Sequence, residues 1–212
     1  MMKDAERATR SPPVYDGLAG HYDRAMQPLE RWLLRRLRER ALSELAAQSR
    51  VLEVGAGTGA NFSLYPRGTS GAASELSREM LKLAHGKGAP PGVSLVQTNA
   101  ERLPFADNSF DAAFATLVFC SLSSPERVFA ELRRVVRPDG RVVLLEHVRP
   151  SGALGLAFDL LNFFTVRLLD DHFNRRTADD ARRAGLELVR VERHALGIVQ
   201  LIVCRVCYDD AL

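Results

Sequence analysis

The segment Val51-Leu52-Glu53-Val54-Gly55-Ala56-Gly57-Thr58-Gly59-Ala60 constrains this chain more than any other. An apolar run ends there in an acid and three alternating glycines, and helix-compatible sequence follows at once. Glycine is needed where the backbone takes positive φ or where a side chain would strike a bound ligand, and the amides that open the next helix face an anion or a ribose. The segment therefore predicts a strand, a tight turn and a helix around a nucleotide-type ligand. The turn alone leaves the ligand open. Gly55-x-Gly57-x-x-Ala60 satisfies the dinucleotide fingerprint, and Glu75 lies about 20 residues on, where a dinucleotide-binding protein places its ribose-binding acid. Glu53 argues the other way, because an acid at the strand's carboxyl end orients the turn or attracts a cationic ligand and suits a negative pyrophosphate poorly.

Two more regions bear on the choice. Asn99-Ala100-Glu101-Arg102-Leu103-Pro104-Phe105 and then Asp107-Asn108-Ser109-Phe110-Asp111 follow the apolar run Val93 to Val96, while Arg137-Pro138-Asp139-Gly140 precedes the run Arg141 to Glu146. Read together, the E-x-G-x-G-x-G turn, the N-A-E-x-L-P-F and D-x-S-F-D pair and the R-P-D-G turn resemble the class I S-adenosylmethionine-dependent methyltransferases. Within them the chain looks most like the ubiquinone/menaquinone-biosynthesis (methyltransferase type 11) group, whose relatives include phospholipid and thiol methyltransferases. The resemblance covers Tyr15 to Arg149 well and the last third loosely. It implies S-adenosylmethionine as cofactor and S-adenosylhomocysteine as second product.

Composition fits one enzyme domain: 212 residues, 46% hydrophobic and 26% charged, are enough to bury a full core. We expect a single methyltransferase domain over 1–212, with an N-terminal lid segment at 1–48, a cofactor-binding core at 49–148, an acceptor-side insertion at 149–176 and a C-terminal helix and hairpin at 177–212. A formal charge of +3 is too mild to call for an acidic partner, and the aromatics are not interleaved with a basic tract as nucleic-acid binding would require. No run reaches the ~20 apolar residues of a membrane span, so cytoplasmic residence is the expectation. Three cysteines give no disulfide framework. Cys204-x-x-Cys207 lies in a strand-like run, where positions three apart face opposite sides, and no metal site is expected.

Apolar runs alternate with helical patterns in the βαβ manner of a parallel sheet. Strands are expected at Arg50 to Val54, Thr69 to Glu75, Val93 to Thr98, Phe110 to Thr116 and Arg141 to Glu146. Leu186 to Val191 and Ile198 to Val206 read as an antiparallel hairpin. Ser77, Ser124-Pro125-Glu126 and Thr177-Ala178-Asp179-Asp180 mark helix starts. The result is an α/β, Rossmann-like, seven-stranded, mostly parallel sheet with helices on both faces and a C-terminal antiparallel hairpin. The second strand, Thr69-Ser70-Gly71-Ala72-Ala73-Ser74-Glu75, is unusually small and weakly hydrophobic for its place.

The resemblance also assigns residues. Glu75 would accept hydrogen bonds from both ribose hydroxyls, with Leu76 flanking the adenine. Gly55, Ala56 and Gly57 would let the backbone lie against the methionyl moiety and ribose, and Glu53, at the carboxyl end of the preceding strand, would belong to the cofactor-binding set with them. Asn99, Ala100 and Glu101 would wrap the adenine, and Thr116 and Leu117 would follow the fourth strand. Tyr15-Asp16-x-Leu18-Ala19-x-x-Tyr22-Asp23 is similar to the family's lid segment, with Tyr22 closing over the cofactor. A sulfonium methyl is already activated, so holding the nucleophile in line supplies most of the rate, an effect worth up to ~7–11 kcal/mol. A base is needed only when the nucleophile arrives protonated. Cys120, Glu146, His147 and His172 are candidates, and His147 is preferred because a strand end would carry it to the methyl site and imidazole takes a proton near neutral pH.

Acceptor identity should lie between Arg149 and Arg176, whose Leu/Phe surplus suits an apolar or lipid-like acceptor, with quinone precursors and aminophospholipids as examples. A packed insertion helix or a subunit contact explains that surplus equally well, and Arg175-Arg176 at its end can capture phosphate or carboxylate. Between Pro28 and Leu45, Leu33, Leu37, Ala41 and Leu45 form one stripe and Arg31, Arg35 and Arg38 another. The pattern is that of a lid helix with a solvated arginine face, or of peripheral attachment to anionic lipid with Trp32 at the interface. The alternatives kept open are a thiol S-methyltransferase on small apolar thiols, an NAD-dependent oxidoreductase and a non-catalytic S-adenosylmethionine-binding protein.

Overall fold

A parallel strand pair cannot be closed by a tight turn and needs a crossover; Arg78–Lys87 and Pro125–Val135 supply helical ones, whereas the glycine turn is followed by a short 3-10 turn at Phe62–Leu64 in place of the expected helix. The computed structural model describes residues 20, 23–24, 26–148 and 175–207. Its elements are α1 (Arg35–Leu42, preceded by a π turn at Glu30–Leu34), β1 (Arg50–Val54), β2 (Ser70–Glu75), α2 (Arg78–Lys87), β3 (Val93–Gln97), β4 (Phe110–Thr116), α3 (Pro125–Val135), β5 (Val136–His147), α4 (Thr177–Arg183), β6 (Leu186–His194) and β7 (Val199–Val206). The sheet order is β3-β2-β1-β4-β5-β7-β6. Neighbours from β3 to β5 run parallel, and β7 is antiparallel to both β5 and β6. The chain therefore leaves β1 toward one edge and returns beside it as β4. This reversal of direction opens a crevice at the strands' carboxyl ends.

Alternation along the strands sends side chains to two faces. Leu52, Val54, Ala113, Val142, Leu144 and Ile202 pack with Val128, Phe129 and Leu132 of α3 and Ala181 of α4. Val51, Phe114, Val143, Leu145 and Leu201 pack with Leu37, Ala41 and Leu42 of α1, and Ala73 and Val93 with Ala84 of α2. The seven strands and the two covered faces agree with the sequence expectation. Among the described residues, no helix is long and apolar enough to cross a membrane.

The motifs that carried the resemblance are structural ties in large part. Arg134 of α3 donates to the carbonyls of Leu103 (3.0 Å) and Phe105 (2.7 Å) and pairs with Asp107 (2.8 Å). Glu131 accepts from the Leu103 amide at 2.6 Å. Asp111 accepts from the Arg50 amide and from Arg137, each at 2.8 Å, locking the R-P-D-G turn to the start of β1. Those bonds hold its carboxyl below the usual carboxylate range.

Several boundaries differ from expectation. β5 begins at Val136, yet Phe110 pairs with Val136 and Ala112 with Arg141, so Arg137 to Gly140 loop out as the expected turn. β6 runs on to His194 because a register shift between Leu188 and Arg190 lets it stay paired with β7. Ser77 caps α2, accepting from the Met80 amide. Thr177 is the first residue of α4 rather than its cap, which falls on Arg176.

The weak second strand has a physical reason. Gly71 sits at φ +128°, and a Cβ there would lie 2.1 Å from the Val51 carbonyl oxygen, so β1 packs too close for any side chain. Gly71→Ala should therefore lower the unfolding free energy by roughly 2–3 kcal/mol in urea melts. Gly86→Ala, in the exposed helix α2 with open space around the new methyl, should be neutral or stabilising by up to about 1 kcal/mol. Equal effects of the two substitutions would contradict this packing.

Candidate active site

The crevice at the reversal point is a cleft of about 1000 Å³, counting its mouth open to solvent, and β1, β2, β4 and their following loops line it. At the end of β1 the Ala56 amide donates to the Ser74 carbonyl at 2.9 Å, joining the turn to β2. Gly55 and Gly57 both adopt positive φ, for different reasons. A Cβ on Gly55 would meet the Val118 side chain at 2.5 Å, whereas one on Gly57 meets nothing within 4 Å and projects into open space. Glu75, last residue of β2, accepts from the Gly57 amide through Oε2 and from the Ser77 amide through Oε1, each at 2.8 Å. One carboxylate thus sets both the glycine turn and the start of α2, at the rim of the cleft.

The loops after β3, beyond β2, and after β4, beyond β1, bound the cleft on its two sides. Asn99 folds its own loop, its Oδ1 accepting from the Glu101 amide at 2.8 Å, and Asn99 and Ala100 line the cleft. Glu101 points away: it accepts from the Ser124 amide at 2.9 Å, ahead of α3, with Arg127 at 3.8 Å. It is not among the described residues lining the cleft. Beyond β4, Leu117 takes φ +59°, sparsely populated for a residue with a side chain. Its amide donates to Leu145 at 2.7 Å, and the fully buried Glu146 accepts from the amides of Val118 and Phe119 at 3.0–3.1 Å. Glu146 is thus an anchor for the loop over the cleft.

Beneath the glycine turn lies a buried polar network. Glu53, with no exposed surface, accepts from Asn61 Nδ2 and from the Tyr65 hydroxyl, both at 2.6 Å. Asn61 also donates to Thr116 at 2.9 Å. Arg38 enters from α1, donating to Asn61 Oδ1 at 3.1 Å and to Thr116 Oγ1, with Glu30 at 3.0 Å. Burial pushes the Glu53 carboxyl above its ordinary range, more than the Asn61 and Tyr65 bonds and the Arg38 charge pull it down. Burial and the Glu53 charge push Tyr65 well above the ordinary phenol value, so it remains a donor. Glu53 therefore supports the turn from below and does not line the cleft.

Arg38 corrects the sequence reading. The sequence pattern puts it on an arginine face with Arg31 and Arg35, yet it is 6% exposed and is the one cation among the described residues lining the cleft. The buried stripe of this helix is Leu34, Leu37, Ala41, Leu42 and Leu45 rather than Leu33, Leu37, Ala41 and Leu45. Arg38 lies four residues after Leu34, inside that stripe, and this was the available signal. Arg31 and Arg35 remain exposed, so the three arginines do not form one solvated face.

Gly55, Ala56, Gly57, Glu75, Leu76, Asn99, Ala100, Thr116 and Leu117 are brought together around the cleft, joined by Ser77, Met80, Val118 and Leu122, which sequence reading did not single out. His147 ends β5 and is not among the described lining residues; alternation sets it on the face of Val143 and Leu145. Cys120 is buried behind the loop, its thiol 3.8 Å from the Leu117 carbonyl. Tyr22, His172 and the apolar stretch from Arg149 to Asn174 lie outside the described residues. From the lid motif, Asp23 is described: it accepts from Thr58 at 2.6 Å and pairs with Lys87 at 2.6 Å. Cys204 is buried in β7, which raises its thiol to about 12, and it forms no pair with Cys207.

A seven-stranded sheet of this order, with a glycine turn and a strand-end acid at its reversal point, defines a nucleotide-cofactor enzyme of the Rossmann-like class. Residues 52–144 match the family model described as a methyltransferase domain. The chain is 30% identical to the ubiquinone/menaquinone biosynthesis C-methyltransferase of Pseudomonas paraeruginosa over 78% of its own length and 69% of the relative's. It is 32% identical to a thiol S-methyltransferase of Mus musculus, over 67% of its own length and 62% of that protein's. The fold also matches a methyltransferase structure from Thermotoga maritima, at TM-score 0.71 and 22% identity, covering 91% of this chain and 98% of that one. The chain belongs to the class I S-adenosylmethionine-dependent methyltransferases of the ubiquinone/menaquinone-biosynthesis group. The cleft fits that cofactor: open space over Gly57, a carboxylate at the rim, apolar Leu76 and Met80, and one guanidinium at Arg38.

The buried Glu53 gives a pH signature. Its folded pKa lies above the unfolded value of about 4.3, so the stability it contributes is present below that value and is lost as pH rises through the folded one. Glu53→Gln removes the titration. The melting temperature of the variant minus that of the wild type should increase from pH 4 to pH 7, whatever its value at pH 4; a flat or falling difference would contradict the assignment.

Proposed function

We propose that this methyltransferase acts on an apolar or lipid-like acceptor, of which quinone precursors and aminophospholipids are examples. The observation that carries the reading is the character of the described cleft wall. Beside the reacting region it offers Leu117, Val118 and Leu122, and its charged groups are already engaged, Glu75 by backbone amides and Arg38 by Glu30, Asn61 and Thr116. Such a site works by exclusion of water and by positioning rather than by an array of acids and bases. The cofactor, when bound, supplies an activated methyl group. The residues would act as follows: Glu75 accepts from the ribose hydroxyls, since a carboxylate oxygen accepts more than one hydrogen bond; Leu76, Asn99 and Ala100 flank the adenine; Arg38 offsets the methionyl carboxylate; Gly55 to Gly57 let the backbone approach; Tyr22 closes the lid. For an acceptor that arrives protonated, His147 at the end of β5 is the candidate base, from outside the described cleft wall. A small apolar thiol is the second reading, favoured by the likeness to a thiol S-methyltransferase. Peripheral association with a membrane would follow from a bilayer-borne acceptor, with the exposed Trp32 as an interfacial side chain.

Transfer of labelled methyl from S-adenosylmethionine to a reduced demethylated quinone, phosphatidylethanolamine, an apolar thiol and a water-soluble amine tests the acceptor class. Label should enter a lipid-like or apolar acceptor, and transfer to the soluble amine alone would reject the reading. Glu75→Ala should weaken S-adenosylmethionine binding at least tenfold, since a hydrogen bond to a charged group is worth ~1.5–3 kcal/mol. Gly57→Val should abolish binding by filling the open space. Gly57→Asn, which tolerates the left-handed backbone better, should also bind weakly while melting near the wild type. Tight binding by either Gly57 variant would refute the placement of the cofactor.

A further inference from the structure

A second groove, separate from the cofactor cleft, lies on the α4 side of the hairpin and is lined by Arg175, Arg176, Arg182 and Arg193 with Asp179 and Gln200. Four arginines face one aspartate. Elsewhere the arginines of this region are neutralised: Arg183 pairs with Asp180, Arg190 with Glu44 and Glu192, and Arg40 with the same two acids. In the groove, Arg176, Arg182 and Arg193 have no ion-pair or side-chain hydrogen-bond partner among the described residues. Arg175 is half-buried, donates from Nη2 to the Leu122 carbonyl at 2.6 Å, and keeps its Nε buried without an acceptor. Arg176, Arg182 and Arg193 are exposed, so solvent screens much of their mutual repulsion, and the buried Arg175 Nε without an acceptor adds the larger cost. An anion with several oxygens would relieve both.

The fold builds this concavity through a specific irregularity. Leu188 pairs with Cys204 and Val191 with Ile202, so the register shift between Leu188 and Arg190 keeps residues three apart on one face. Arg193 then pairs with Gln200 and follows Val191 to that face; in a regular strand it would stand opposite Leu188. The row continues from Arg193 through Gln200 to Glu146, which holds the loop over the cofactor cleft. Leu122, which lines that cleft, is the residue Arg175 holds.

We propose that the arginine groove binds the phosphate group of the acceptor, holding its anionic end beside the methyl-transfer cleft. The identification with the acceptor rests on the methyltransferase reading above; the phosphate site itself does not. It selects, among lipid-like acceptors, those that carry a phosphate ester, because forked guanidinium donors match phosphate oxygens.

The test is equilibrium binding to the full chain of three probes: inorganic phosphate and monomeric short-chain phosphatidylglycerol by calorimetry, and phosphatidylglycerol against phosphatidylcholine vesicles by sedimentation, with S-adenosylmethionine titrated in parallel. Wild type should bind a phosphate probe and lose affinity as salt rises. The double variant Arg182→Gln, Arg193→Gln should bind at least tenfold more weakly, while Arg183→Gln, outside the groove, and S-adenosylmethionine affinity should not change. Binding to a soluble probe without sedimentation on phosphatidylglycerol vesicles assigns a soluble phosphate ester as the source, and sedimentation on those vesicles assigns a bilayer headgroup. The proposal is overturned if the wild type binds none of the probes at low salt, or if the double variant binds like the wild type. Absence of S-adenosylmethionine binding by the wild type would instead overturn the methyltransferase reading and leave the phosphate result to stand or fall alone.

Discussion

A carboxylate with no exposure to solvent, Glu53, lies where the sheet reverses direction, and four parts of the chain meet through it. Asn61 and Tyr65 donate to it from the segment after the glycine turn, Thr116 joins through Asn61 from the end of β4, and Arg38 joins from α1. A buried acid is costly unless its hydrogen bonds are made, so each partner is constrained by the need to satisfy it. The glycine turn above the network, the loop after β4 and the N-terminal helix thereby take fixed positions relative to one another. Glu75 repeats the device at the rim by holding the amides of Gly57 and Ser77, and Glu146 repeats it across the cleft with those of Val118 and Phe119. Three acids at or near strand ends thus shape the loops after β1, β2 and β4, while Asn99 folds the fourth cleft loop, after β3, by itself.

This division of labour explains which residues were legible in the sequence. The strands from β1 to β4, the cap at Ser77 and the cleft positions of Gly55, Gly57, Glu75 and Asn99 follow from local pattern, because strand periodicity and backbone need act over a few residues. What was missed depends on partners distant in the chain. Arg38 reads as one more cation on a basic helix until Thr116, far along the chain, is known to lie beneath it. Glu101 reads as an adenine neighbour until the Ser124 amide claims its carboxylate. The placement of Arg193 depends on a register shift that no period-two pattern reveals. The smallness of β2 was visible, but its cause, the approach of the Val51 carbonyl to Gly71, was not.

The two ends of the cleft differ in character. Its end at Glu75 and Asn99 is polar and fixed by backbone-to-carboxylate bonds, which suits a ligand that must be held in one pose. Its other end is walled by Leu117, Val118 and Leu122 and adjoins a cationic groove. An acceptor with an apolar body and an anionic end would satisfy both surfaces, and its reacting atom would be held by position more than by chemical activation.

Cofactor binding in this protein depends most on the glycine turn and the carboxylate that holds it. Titrating S-adenosylmethionine into isotope-labelled protein and following backbone amide shifts tests this without altering the chain. The largest changes should fall on Gly57, Ser77 and Asn99, with saturation at one equivalent. Shifts confined to residues away from the carboxyl edge of β1, β2 and β4, or no change at saturating ligand, would contradict it.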